Sequence, residues 1–306
     1  FLITGSSGFV GKHVVRELKD KHELITPSRQ DINLLENYDL DSYLTSFQID
    51  AIVHLAATCG GIGVNKDNPG QFIYDNLQMG INVLEAARLA GTPKVINLGT
   101  VCSYPKFTSI PFQEKDIYSG YPEETNAPYG IAKRTVMEMG IAYARQYGMN
   151  VTNLIPVNMA GEFDNFDQYS SHVIPAMIRK FENPLIDKDG TYGINLFKYP
   201  MSYVLLWGDG SASREFLYAG DCAKAIALSL EKDTGPGPIN IGTGREITIK
   251  QLAETIKRIG NYDCDIVWEV SKPNGQPRRC LDVSRAEKVL GWKAETSLED
   301  MIARSI

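Results

Sequence analysis

The sequence predicts an α/β protein: a doubly wound parallel sheet followed by a smaller, mixed C-terminal unit. Two observations carry this. Over the first 160 residues, short apolar runs alternate with segments of helical period, the pattern of successive βα units on a parallel sheet. After residue 157 the alternation gives way to loops rich in Gly, Pro, Asn and aromatic residues. The first unit is expected over 1–160, with a stretch near 215–245 returning to it. The second occupies most of 161–306.

Taken in order, the apolar runs predict strands over 1–4, 23–26, 51–56, 94–100 and 151–157. Between the third and fourth, Asn76, Leu77, Ile81, Leu84 and Leu89 follow helical spacing, and AGTPK (90–94) closes that helix with glycine and proline. Helices are expected near 173–182 and 221–231. Residues 237–306 add another strand, a helix around 248–259 and a C-terminal helix. The chain opens inside a strand at Phe1, so a few residues are expected to precede it.

Composition narrows the function classes. Apolar content of 43% and charged content of 22% are those of an ordinary globular chain. A formal charge of −6 without a Lys/Arg cluster gives no footprint for nucleic acid. No apolar run approaches the roughly 18–20 residues of a membrane span, and no basic-then-apolar leader is present. Five scattered cysteines fit a reducing, cytoplasmic setting better than a disulfide framework. No His, Cys and carboxylate spacing suggests a metal.

The opening stretch FLITGSSGFVGKHVVREL (1–18) reads strand, glycine turn, helix. Gly5 permits a sharp turn, Gly8 lets backbone approach a pyrophosphate, and Gly11 allows helix and strand to pack closely. The segment Gly5, Ser6, Ser7, Gly8, Phe9, Val10 and Gly11 is therefore a candidate cradle for dinucleotide phosphates at a helix N-terminus. An acidic residue at the end of the second strand would hold an NAD ribose. Here LITPSRQDINL (24–34) offers Ser28 and Arg29 instead, which suit a 2′-phosphate and favour NADP. A solvated loop residue is the lesser alternative for Arg29. Asp31 follows and is placed to meet the adenine edge.

In NAPYGIAK (126–133), Tyr129 and Lys133 stand at i, i+4 on one helix face. An ammonium beside a phenol is expected to lower the phenol from its starting value near 10. Upstream, LGTVCSYPK (98–106) sets Thr100 and Cys102 two apart at a strand end. In isolation Cys102 reads as a small buried hydrophobe, and His172 as a cap or surface residue. His13, His22, His54, Cys59, Cys222, Cys264 and Cys280 have no site context.

Several long blocks occur in a fixed order: GGIGVNKDNPGQFIYDNL (60–77), LGTVCSYPK, PYGIAK, NFDQYSSHVIPA (165–176), VLLWGDGSASREFLY (204–218) and SKPNGQPRRCLDVSRA (271–286). With them the chain resembles the GDP-L-fucose synthase family of the extended short-chain dehydrogenase/reductase superfamily. That resemblance implies a Rossmann-like fold and an NADP(H)-dependent 3,5-epimerase/4-reductase acting on GDP-4-keto-6-deoxy-mannose. It implies Thr100 hydrogen-bonding the C4 oxygen, Tyr129 protonating it, Lys133 holding the nicotinamide ribose, Cys102 as base and His172 as acid. It places further cofactor contacts at Leu98, Gly99, Pro156, Asn158, Met159 and His172. Lys180, Arg214 and one of Arg278 or Arg279 become phosphate and sugar contacts, with Trp207 and Asn274 beside the ligand. A homodimer through helices around 70–90 and 129–147 also follows from the family.

Rival chemistries can be weighed on the same residues. Dehydratases of this superfamily carry an Asp-Glu pair after the Thr, where this chain has Val101 and Cys102. A 4-epimerase would leave the Cys–His pair without a task. An epimerase/reductase or plain 4-reductase for another GDP-4-keto sugar, a heptose or colitose precursor, stays open. A non-catalytic dinucleotide-binding module would have no use for Thr100, Cys102, Tyr129, Lys133 and His172 together. Two departures from the family bear on the sugar: the segment 182–206 is longer than expected, and Asn274 stands where an acid can occur.

Overall fold

The computed structural model describes residues 1–36, 40–187, 201–272, 274 and 276–306. Residues 188–200, the centre of the long segment 182–206, lie outside the described residues. The chain is α/β and Rossmann-like. Five parallel strands form the main sheet: β1 (Leu2–Thr4), β2 (Ala51–His54), β3 (Lys94–Leu98), β4 (Asn150–Pro156) and, after four further strands, β9 (Ile239–Ile241), in that spatial order. Helices flank both faces: α1 (Phe9–Leu18), α2 (Leu40–Ser46), α3 (Ile62–Asp67), α4 (Pro69–Leu89) and α5 (Ala127–Tyr147).

Side-chain alternation divides the strands between two cores. Ile3, Val53, Ile96 and Leu154 face one side, packed with Val14, Leu18 and Ile226. Leu2, Ile52, Val95 and Val151 face the other, with Leu44, Val83 and Leu84. The strand expected over 23–26 is reduced to a single parallel bridge between Leu2 and Ile25. That bridge lies on the opposite side of β1 from β2, so strand order reverses at β1. A crevice at the carboxyl ends of the strands is expected there.

The smaller part contains two three-stranded mixed sheets. One joins β10 (Glu246–Thr248), β8 (Ser213–Tyr218) and β5 (Asn158–Ala160); the other joins β11 (Asp265–Glu269), β7 (Met201–Trp207) and β6 (Leu185–Asp187). Their core gathers Ile174, Ile178 and Phe181 of α6 (Val173–Glu182). To these it adds Leu252 and Ile256 of α8 (Ile249–Ile259) and Met301 and Ile302 of α10 (Leu298–Ser305). The start of α8 is fixed by a capping box between Thr248 and Gln251. Helices α7 (Ala219–Glu231) and α9 (Ser284–Leu290) complete the chain. Among the described residues no helix is long and apolar enough to cross a membrane.

One buried carboxylate ties the parts together. Glu215, on β8, is fully buried and accepts backbone N–H bonds from Gly244 and Leu281, both at 2.7 Å, and a third from Thr243. Those bonds hold Leu281 and the turn at 243–244 against β8.

Candidate active site

The strands expected to run to 56 and 100 stop at His54 and Leu98, because the following residues turn outward to line a cleft of about 1150 Å³. Gly5 has φ +68°, and a Cβ there would stand 2.7 Å from the Ala56 amide nitrogen. A Cβ on Gly11 would stand 2.7 Å from Ser6 Cα. Only glycine allows this turn. Gly8 is the N-cap of α1 and offers no side-chain cap, so first-turn N–H groups are left without intrahelical partners at the cleft. Gly5, Ser7, Gly8, Phe9, Val10 and Gly11 line it; Ser6 does not, and instead backs Gly11.

Ser28 and Arg29 also reach this cleft. Asp31 does not: its carboxylate accepts from the Ser28 N–H (2.8 Å) and hydroxyl (2.7 Å), and those bonds hold it below the usual carboxylate range. Those bonds shape the loop that presents Arg29.

Beyond the glycine turn, β3 delivers a second group. Thr100 caps a single 3₁₀ turn over Val101–Ser103, its hydroxyl accepting the Cys102 N–H at 3.2 Å. The Ser103 hydroxyl donates to Gly130 O (3.0 Å) and Arg134 Nε to Ser103 O (3.0 Å), pinning α5 to this turn. Lys133, only 4% exposed, donates from Nζ to Leu98 O at 3.0 Å. Burial lowers its ammonium to about 8, against a smaller upward pull from Cys59.

The expected effect of Lys133 on Tyr129 is corrected by the structure. Burial pushes the phenol well above its ordinary value, and nearby Cys59 and Cys102 push the same way. Only a hydrogen bond with the Thr100 side chain pulls down. The Lys133 ammonium is spent on Leu98 O. Tyr129 therefore stands as a protonated phenol, a proton donor.

His172 occupies the N-cap of α6 but makes no cap hydrogen bond, which leaves its imidazole open to the cleft. It is exposed by area yet walled closely enough that desolvation lowers its pKa below the ordinary histidine value. Gly61, in the 60–77 block, supports the loop before it through its N–H to Ser170 O at 2.9 Å. His54 is buried, bonded to the Thr4 hydroxyl at 2.9 Å and lowered to about 3 by burial. It is structural.

Leu98, Gly99, Pro156, Asn158 and Met159 line the same cleft, as do Lys180, Trp207, Arg214 and Asn274 at its far end. Lys180 Nζ donates to Leu205 O (2.7 Å) and lies 5.9 Å over the Trp207 ring. Asn274 Oδ1 accepts the Asp209 N–H at 2.9 Å. Arg278 does not reach the cleft: its exposed guanidinium turns to Glu246, with Nε 3.0 Å from Oε1. Its neighbour Arg279 takes the wall position, with Nη1 donating to Cys102 Sγ at 3.7 Å.

Sequence reasoning also passed over Cys59, whose thiol opens on the cleft and is raised by burial, and Gln276 and Glu123, which line it. Only the adjoining GGIGVN block hinted at Cys59.

A glycine-turn crevice leading to a Thr–Tyr–Lys set defines a nicotinamide-dependent oxidoreductase of the short-chain type, here with an added thiol and imidazole. Residues 1–242 match the NAD dependent epimerase/dehydratase family, and the chain belongs to it. It is 37% identical over 304 residues to GDP-L-fucose synthase of Sinorhizobium fredii, covering 99% of this chain and 93% of that one. It is 36% identical over 307 residues to GDP-L-colitose synthase of Yersinia pseudotuberculosis, covering 99% and 96%. The crystal structure of a GDP-L-fucose synthetase from Naegleria fowleri bound to NADP superposes with a TM-score of 0.86 at 26% identity, covering 99% and 90%.

Proposed function

We propose that the chain is an NADPH-dependent epimerase/reductase. It inverts C3 and C5 of GDP-4-keto-6-deoxy-mannose and reduces C4, giving GDP-L-fucose. The observation that carries this reading is the convergence of Thr100, Cys102, Tyr129, Lys133 and His172 on one cleft with the glycine turn. The residues present fit the cofactor: the turn leaves no room for a Cβ, the uncapped N–H groups of α1 suit phosphates, and Arg29 suits a 2′-phosphate. Lys133 is placed to hold ribose hydroxyls. Bound there, NADPH supplies the hydride that C4 receives.

The C4 carbonyl acidifies the C–H bonds at C3 and C5. Cys102, as thiolate, takes the proton from one face, the electron pair passes to the carbonyl oxygen, and His172, entering the step as the imidazolium and leaving it as neutral imidazole, returns a proton to the same carbon from the other face. Thr100 donates a hydrogen bond to the C4 oxygen. Tyr129, kept protonated by its burial, donates its proton there as C4 is reduced. Lys180, Arg214, Trp207 and Asn274 hold the nucleotide-sugar end.

A second reading rests on the GDP-L-colitose synthase likeness, since 36% identity nearly equals the 37% to the fucose enzyme: the same chemistry on another GDP-4-keto sugar. We read the enzyme as a cytoplasmic homodimer. Tyr74, Ile81 and Leu89 form an exposed apolar stripe on α4, which packs beside α5. Incubation with GDP-4-keto-6-deoxy-mannose and NADPH in deuterated water tests the reaction. NADPH oxidation with deuterium at C3 and C5 is expected; oxidation without deuterium makes the chain a plain 4-reductase.

A further inference from the structure

Arg279 has an environment that a phosphate contact would not need. It is 8% exposed, and among the described residues no carboxylate lies within ion-pair distance of it. Nε and Nη2 both donate to Gln276 Oε1, at 3.2 and 3.0 Å. Gln276 is itself 7% exposed and anchored by its Nε2 to Lys106 O at 2.8 Å. One edge of the guanidinium is thus fixed by a buried amide, and Nη1 meets Cys102 Sγ at 3.7 Å.

A guanidinium does not deprotonate inside a protein, so burial cannot relieve its charge. A buried cation needs an anionic partner, and among the described residues the one atom hydrogen-bonded to this guanidinium that can become an anion is the Cys102 sulfur. Arg214 adds a second guanidinium: burial lowers it to about 10, Arg279 adds to that, and Cys102 and Glu123 act in the opposite sense. The groups facing the thiol are therefore Arg279 and Arg214, with Glu123 acting through Arg214, and on the far side the protonated Tyr129 phenol.

We propose that Arg279 is a positioning residue for Cys102: it orients Sγ for proton abstraction, instead of contacting the substrate's phosphates. The proposal rests on the reading of Cys102 as the base. In that step the thiolate gains the proton from C3 or C5, the C–H electron pair becomes an enolate on the C4 oxygen, and Arg279 loses its anionic partner until the proton leaves.

The test separates this from the reaction itself. Iodoacetamide alkylation of each cysteine is followed by mass spectrometry between pH 6 and 9 in the parent protein, Arg279→Gln and Arg279→Lys. Cys59, on the same cleft, reports access. At pH 7 the Cys102 rate should fall about tenfold in Arg279→Gln, with Cys59 unchanged. Arg279→Lys, which keeps the charge and the stem, should recover most of that loss. Deuterium exchange at C3 and C5 should slow by about 100-fold in Arg279→Gln. Identical Cys102 profiles in all three proteins overturn the proposal, as does a parallel change at Cys59. A slowed Cys102 in a protein whose parent exchanges no deuterium sinks the epimerase reading and leaves the Arg279–Cys102 pairing standing.

Discussion

Gly130 is where packing and chemistry meet most tightly, and Gly130→Ala tests whether the geometry described above is the working one. Gly130 follows Tyr129 on α5 and is buried. An added Cβ would stand 2.8 Å from the Cys102 carbonyl carbon and 3.3 Å from the Ser103 nitrogen, nearer still to the Cys102 oxygen. Contacting carbons rest about 3.5–4.0 Å apart, so α5 and the 3₁₀ turn must separate by about 1 Å. Both are tethered to each other, by Ser103 to Gly130 O and by Arg134 to Ser103 O, and α5 also to β3, by Lys133 to Leu98 O. The separation therefore opens between Tyr129 on one side and Thr100 and Cys102 on the other. A displacement of about 1 Å costs on the order of 100-fold in rate, and the overpacking about 1–3 kcal/mol in stability. Single-turnover NADPH oxidation with the keto sugar reads the first and thermal denaturation the second. NADPH affinity, measured by fluorescence titration, should fall less than the rate, because the glycine turn is remote from the clash while Lys133 moves with α5. A variant that melts with the parent and keeps its rate within about threefold would refute the claim that this contact sets the catalytic distances.

Three other outcomes follow from the same structure. Burial holds Lys133 at about 8, so it is charged below that pH and neutral above it. The pH profile of kcat/KM should fall on a basic limb near 8, and Lys133→Met should abolish that limb along with most of the rate. Since the same group unfolded titrates near 10.5, the unfolded chain binds the extra proton between those values, and this lysine's contribution to stability rises with pH there. Glu215→Ala leaves three backbone N–H donors without their buried acceptor and should cost about 3–5 kcal/mol, read as a lower denaturation midpoint. Arg29→Ala should raise the KM for NADPH about 10- to 100-fold, the value of a lost charge-assisted hydrogen bond, while leaving that for NADH nearly unchanged; equal losses for both cofactors would count against a 2′-phosphate contact.

The parallel sheet was legible because a strand covered on both faces must be apolar at every position, as VINL in β3 is but for Asn97, which pairs with Asn153 at 2.8 Å. The glycine turn was legible because its conformation and clearances admit no other residue. What escaped was set by tertiary geometry. The spacing of Tyr129 and Lys133 puts them on one helix face, but burial and the direction of the ammonium decide whether the phenol moves up or down. Arg278 and Arg279 are adjacent in an extended segment, where neighbours point to opposite sides. Its register, fixed by Leu281 on Glu215 and Phe112 on Cys280, sends the second arginine inward. Cys59 lacks any motif of its own and enters the cleft only because β2 stops at His54.

The short turn after β3 explains how two chemistries share one wall. The Thr100 hydroxyl accepts the Cys102 N–H, so the group proposed to meet the C4 oxygen also fixes the backbone carrying the thiol. A 3₁₀ turn rises about 2.0 Å per residue with about three residues per turn. Residues two apart therefore stand about 4 Å apart along the axis and project in different directions. Thr100 is turned toward Tyr129 and the α5 face, Cys102 toward Arg279 and the segment held by Glu215. An acid pair in place of Val101 and Cys102 would set a carboxylate beside the buried, carboxylate-free guanidinium of Arg279 and neutralise it. The wall as built instead keeps that cation beside a sulfur, 3.7 Å from Nη1.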